Sequence, residues 1–237
     1  MIVDVVTIFP KMFKPVIGES IVKRAQKKGL VEINIHNLRD YSADRHKKVD
    51  FYSYGGGGMV FRPEPLFGAV EKILGYKVYP KKKKDPKKRI VLFSPKGKHL
   101  NQKTVKKFLK YERIILIAPR YEGVDERVRK NLADEEISVG DYIISGAELA
   151  SMIFIDSLVR IIPGAISSRE SVEQESFEGD LLDFPHYTKP RDFRGLKVPK
   201  VLFSGNHQKI AQWRRHKAIE TTKKIRPDLW KSFCSKK

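Results

Sequence analysis

The sequence carries a single cysteine, Cys234, close to its C-terminal end. One thiol cannot form an internal disulfide, and neither a cysteine-based metal site nor an oxidising compartment is implied. Long apolar runs are missing too: no stretch approaches the roughly 20 apolar residues that a membrane span needs. The opening MIVDVVTIFP has no basic segment followed by a long apolar one, so no export signal is read there. The chain is expected to stay in the cytoplasm, away from the membrane. The familiar nucleotide fingerprints are absent as well. YGGGGM (54–59) is neither GxGxxG after a strand nor a P-loop ending in Lys-Ser/Thr, which leaves a Rossmann-type dinucleotide site without support. No second histidine lies at ligand spacing from His186, so no protein-held metal is expected.

Acidic residues are scarce relative to basic ones, 28 Asp and Glu against 48 Lys and Arg, for a formal net charge of +20. The distribution says more than the total. Residues 1–160 hold 32 basic and 19 acidic residues, residues 161–188 hold 1 and 6, and residues 189–237 hold 15 and 3. An acidic segment therefore separates two basic bodies. That one-sidedness points to a polyanionic partner, since each phosphate neutralised releases a counterion, and nucleic acid is the expected one. General solubility explains a charged surface, but not the strong bias of the last 49 residues. The lysine run KKKKDPKK (81–88) reads as a solvated loop.

Short β-branched runs alternate with amphipathic stretches over the first 160 residues. IVDVVTIF (2–9), VEINIHNL (31–38), RIVLFS (89–94) and RIILIA (113–118) read as strands, and 13–28, 64–75, 102–111 and 124–132 carry helical spacing. The alternation predicts an α/β fold, a mostly parallel sheet with helices on both faces. After IIPG (161–164) the chain turns polar and Ser/Glu-rich and reads as a mobile linker. Residues 207–225 form a basic helical pattern, so the C-terminal part is expected to be a small, mainly helical domain with a basic face. The division expected is 1–162, 163–177 as linker, and 178–237.

Ligands of parallel sheets bind beyond the C-terminal strand ends. Three such ends carry loop-forming residues: LFSPKGK (92–98), IAPRYEGVDER (117–127) and VGDYIISGAEL (139–149). They are expected to converge on one pocket. Ser145 with Glu148 three residues later reads as a capping box that starts a helix running towards Pro163. Several residues also have plain structural readings. Arg160 near that helix's end would complement its dipole, Asp141 would serve a turn, Tyr121 and Glu122 would pack and pair, and His186 and Tyr187 would brace the C-terminal domain. Ser204, Asn206 and His207 would cap the tail helix.

DRHKKVDFYSYGGGGM (44–59), YEGVDER (121–127), SVGDYIISGAEL (138–149), RIIPG (160–164), LLDFPHYTKP (181–190) and VPKVLFSGNH (198–207) together closely resemble the bacterial tRNA (guanine-N1-)-methyltransferases, which are knotted, SPOUT-type enzymes. Order and spacing match over roughly residues 1–230. The resemblance implies a deep C-terminal trefoil knot in the parallel-sheet domain, and S-adenosylmethionine bound bent in it. It implies a homodimer with shared active sites, and methylation of N1 of the guanine immediately 3′ of the tRNA anticodon, position 37. In its frame Leu92, Ser94, Pro95, Pro119, Tyr121, Glu122, Gly123, Val139, Gly140, Asp141, Tyr142, Ile143, Ile144, Gly146, Ala147 and Leu149 hold the cofactor. Arg45, His46, Ser204, Asn206, His207, Arg214 and Arg215 face RNA. Mg²⁺ stays open as a second cofactor.

Guanine N1 carries a proton at neutral pH, and a carboxylate is a natural remover of it. Negative charge then builds on O6, where an arginine can stabilise it. The resemblance puts the base at Glu175, with Arg160 as its helper. Glutamate stands where relatives have aspartate, so Glu173 and Asp180 are the alternatives. Pro119 and Ala147 stand where relatives usually have glycine, and Pro119 has no amide NH to offer the cofactor. Two other readings stay open: a knotted methyltransferase for ribosomal RNA, and a non-catalytic RNA-binding protein.

Overall fold

The computed structural model describes residues 1–79, 85–166, 175–177 and 181–235. Most of the expected linker, with Glu173 and Asp180, lies outside the described residues, as do residues 81–84 of the lysine run. The chain divides into two compact units, Met1–Ser167 and Ser168–Lys237.

The first unit is built on β1 (Ile2–Thr7), β2 (Glu32–Asn37), β5 (Lys88–His99), β6 (Arg113–Ile117) and β7 (Glu135–Ser138). They form one sheet of order β2-β1-β6-β5-β7, and every pairing in it is parallel. A separate antiparallel hairpin joins β3 (Asp50–Tyr52) and β4 (Met59–Phe61). The helices are α1 (Lys14–Ile17), α2 (Ser20–Lys27), α3 (Pro63–Leu74), α4 (Gln102–Lys107), α5 (Glu126–Asn131) and α6 (Glu148–Ile161).

Period-two alternation sorts the strand side chains into two cores. Val3, Val5, Val91, Phe93, Ile114 and Leu116 face one side, where Val22 and Ala25 of α2, Val105 of α4 and Phe154, Ile155 and Leu158 of α6 cover them. Val6, Ile90, Leu92, Ile115 and Ile117 face the other, under Leu66, Ala69 and Val70 of α3 and Val128 of α5. The expected α/β architecture, mostly parallel with helices on both faces, is therefore present. Apolar strands buried on both faces are what such a sheet requires.

Local chemistry explains the ends of the elements. Pro63 opens α3 at a position where a missing amide NH costs nothing, and Gly75 closes it at φ 77°, a left-handed conformation suited to glycine. Asn101 and Asp125 cap α4 and α5 through their side-chain oxygens. Sequence reading did not assign β7 as a strand. It is four residues long and pairs on one side only, with β5 at the sheet edge.

The second unit contains a two-residue-per-strand hairpin, β8 (Asp192–Phe193) and β9 (Leu196–Lys197), then α7 (His207–Ile225) and α8 (Pro227–Ser235). Ala218 and Thr222 are the buried residues of α7. The Thr222 hydroxyl donates to the Ala218 carbonyl at 2.7 Å and accepts from the Leu182 amide at 2.8 Å, which ties the 181–186 segment to the helix. Among the described residues, no helix is long and apolar enough to cross a membrane.

Candidate functional site

The C-terminal ends of β5, β6 and β7 open into a cavity of about 380 Å³. Three segments wall it: 92–96, 119–124 and 136–147. Each is shaped by a local feature of the sequence. β5 is not finished at Phe93, because Ile137 of β7 pairs with both Phe93 and Lys98, so the residues between them bulge from the strand. That bulge sends Ser94, Pro95 and Lys96 into the wall. Gly97 sits where a Cβ atom would collide with the backbone of Ile137, so only glycine lets β5 resume pairing there.

The second and third segments are stitched to each other. The Ala147 amide donates to the Pro119 carbonyl at 2.9 Å, and Arg120 and Gly146 form an isolated antiparallel bridge. Pro119 lacks an NH, but its carbonyl serves the contact. Tyr121 holds φ 58°, rare for a residue with a side chain. Its ring lies edge-on to Phe61 at 5.9 Å, and burial, then the neighbouring Asp50 carboxylate, push its phenol pKa up.

Beneath this junction lies a buried ion pair. Glu148 is fully buried; its Oε2 accepts from Arg120 Nε at 3.1 Å and its Oε1 from the Thr7 hydroxyl at 2.9 Å. Arg120 also lies over the Phe9 ring at 4.3 Å. The carboxylate thus joins the end of β1, the loop after β6 and the first turn of α6. This overturns the capping-box expectation. α6 begins at Glu148, its N-cap is Ala147 and no side chain caps it. Ser145 lines the cavity instead, and Glu148 turns inward to Arg120 because a buried guanidinium partner outweighs a local amide.

All the residues expected to hold a cofactor line this cavity except Asp141 and Leu149. The Asp141 carboxylate faces His99 Nε2 at 3.2 Å and is nearly fully exposed. Leu149 is half-exposed on the first turn of α6. Sequence reading missed Arg120, Ala150 and the charged rim of Glu126, Arg129 and Glu136, which also line the cavity. Arg129 pairs with Glu126 and reaches Glu136 at 3.5 Å; its hydrogen bond holds Glu126 down at about 2.

Arg160 stands in the last turn of α6, in the first unit, and Glu175 belongs to the second. Arg45 and His46 are exposed on the turn after Tyr41, where the Asp44 carboxylate accepts from the His46 amide at 2.8 Å. Asn206 caps α7 by accepting from the Lys209 amide at 3.0 Å, and Ser204 accepts from the Asn206 amide. His207 and Arg215 are exposed and Arg214 is half-buried. No group of three or more metal-ligating side chains occurs among the described residues.

Known proteins supply the frame for this geometry. The sequence model of the family described as tRNA (Guanine-1)-methyltransferase TrmD matches residues 1–232. The chain is similar to a tRNA (guanine-N(1)-)-methyltransferase of Dictyoglomus turgidum, 49% identical over 96% of this chain and 89% of that one. It is likewise similar to the protein of that name from Clostridioides difficile, 47% identical over 98% of both. The counterpart from Geobacter sulfurreducens is 45% identical over 95% of this chain and 89% of its own. On this full-length match, the chain belongs to the tRNA (guanine-1)-methyltransferase family.

Proposed function

We propose that this protein is an S-adenosylmethionine-dependent methyltransferase that modifies N1 of the guanine immediately 3′ of the anticodon, position 37, in tRNA. The observation that carries the reading is the meeting of three strand-end loops around one cavity in a chain of this family. The cavity suits a nucleoside. Leu92, Val139, Ile144 and Ala150 offer apolar surface for a flat ring, and the irregular backbone of 139–147 offers amide and carbonyl groups for its edge. When bound, the cofactor supplies a methyl group made electrophilic by its sulfonium.

The chain's own residues then have two tasks. The loops fix the cofactor and exclude water, so that binding energy goes into alignment. Glu175 accepts the proton from guanine N1, and Arg160 stabilises the charge that builds on O6.

A trefoil knot accounts for the crowding. The 119–123 and 144–147 loops meet at Pro119–Ala147 and Arg120–Gly146, which supports a thread through a loop, and small residues there permit the close approach. A homodimer with shared active sites gives exposed Ile143, Leu149 and Ile153 an apolar partner. The basic residues of the second unit grip the RNA. The test is methylation of unmodified tRNA in vitro, with the modified nucleoside mapped by mass. A methyl group on N1 of that guanine is expected; none in tRNA, or one only in ribosomal RNA, overturns the reading.

A further inference from the structure

A second cavity, of about 400 Å³, lies wholly within the Ser168–Lys237 unit. Its wall is aromatic and cationic, and among the described residues no aspartate or glutamate lines it. Tyr187 and Trp213 lie side by side with ring centroids 6.3 Å apart and planes tilted by 55°. Two guanidinium groups lie on rings: Arg214 on Phe184 at 4.8 Å and Arg191 on Phe203 at 4.5 Å. Arg214 Nε is buried without a hydrogen-bond partner among the described residues.

These features fit poorly with a purely structural core. Tyr187 is 50% exposed and Phe203 44%, so part of each ring stays open to solvent. A guanidinium stacked on a ring keeps its in-plane NH groups directed outward, the geometry that suits a phosphate. Open ring faces beside such donors are how proteins hold unpaired nucleotides, with the base on an aromatic surface and the backbone on arginine. The sequence reading treated His186 and Tyr187 as braces and named only Arg214 of this group as RNA-facing.

We propose that this cavity is a second nucleotide subsite, resting on the tRNA reading above: it takes an unpaired base of the substrate other than the methylated guanine. The base lies on the Tyr187–Trp213 wall, and an adjoining phosphate takes the donors of Arg191 and Arg214. The subsite anchors the RNA and leaves the chemistry to the first unit.

Unmodified tRNA transcript is titrated against the full-length protein over a salt series, for the parent, Tyr187→Leu and Arg191→Gln. Tyr187→Leu is expected to weaken binding about tenfold with the salt slope unchanged, since stacking neutralises no phosphate. Arg191→Gln is expected to weaken it and to lower the slope by about one. Cofactor affinity stays at the parental value in both, since neither residue lines the first cavity. A Trp230→Phe chain keeps Trp213 as its only tryptophan, and tRNA is expected to quench its emission; this readout decides the matter if Tyr187→Leu does not fold. Parental affinity and slope in both variants, or unchanged Trp213 emission, overturn the subsite. A parent protein that binds tRNA but never methylates it overturns the functional reading instead and leaves the affinity comparison standing.

Discussion

Gly146→Ala probes the junction on which the cofactor cavity depends. A Cβ atom at Gly146 would sit 2.5 Å from Glu148 Oε2, 2.6 Å from Arg120 Nε and 2.7 Å from Arg120 Cγ. Each distance is well short of an ordinary contact, so the guanidinium, the carboxylate or the backbone must move by roughly 1 Å. Overpacking of this kind costs about 1–3 kcal/mol. Separating the pair adds to it: a fully buried carboxylate that loses its cation costs about 3–5 kcal/mol. That range is an upper bound here, because the Arg120 side chain is 20% exposed and the Thr7 bond survives. We expect a net loss of about 3 kcal/mol in urea unfolding, with a parallel loss of S-adenosylmethionine affinity by calorimetry. Glu148→Ala alone should cost a similar amount. The double variant should fall at least 1 kcal/mol short of the sum, because Glu148→Ala removes the nearest obstruction. Costs that add within about 0.5 kcal/mol would refute the shared origin.

Ala147→Val tests whether this loop closes on the cofactor. Ala147 is 8% exposed and lines the cavity, so a branched side chain should reduce cofactor affinity about tenfold; parental affinity would contradict that packing. Glu175→Gln and Arg160→Ala should bind cofactor normally and lose about a hundredfold in single-turnover methyl transfer. An unchanged rate in Glu175→Gln moves the base elsewhere. The α5 cap should be acid-sensitive. The Arg127 side chain, with the Arg127 amide, holds the Asp125 carboxyl below its usual range. Its stabilisation is complete above the unfolded value near 3.9 and is lost as pH falls through the lower folded one. Asp125→Asn should flatten that acid limb of a thermal-unfolding series, and an unchanged limb would count against the cap.

The parallel sheet was legible because β1, β2, β5 and β6 are β-branched runs long enough to show their character. β7 was not, since four residues carry too little periodicity to separate a strand from a loop. The Ser145–Glu148 spacing misled for a related reason: a capping box is a local pattern, and the Arg120 that claims Glu148 is 28 residues distant. The better signal was helical phase. Glu148 lies on the stripe shared by Met152, Ile155 and Val159, all buried, and a carboxylate on a buried stripe calls for a cation. The bulge at 94–97 was hidden because a Ser-Pro-Lys-Gly stretch reads the same whether it ends a strand or interrupts one. The three loops of the cavity wall were legible as strand ends, but the individual cofactor residues within them only through family resemblance, since Tyr142 or Ile143 has no chemistry that announces a ligand.

The central claim is that a proton taken from guanine N1 by Glu175 opens that atom to methylation. Nucleoside mapping of unmodified tRNA after a single turnover, with the parent and Glu175→Gln side by side, tests it most directly. One methyl group, on N1 of the guanine 3′ of the anticodon, is expected from the parent and almost none from the variant. A methyl group at another atom, or equal yields from the two proteins, would contradict it.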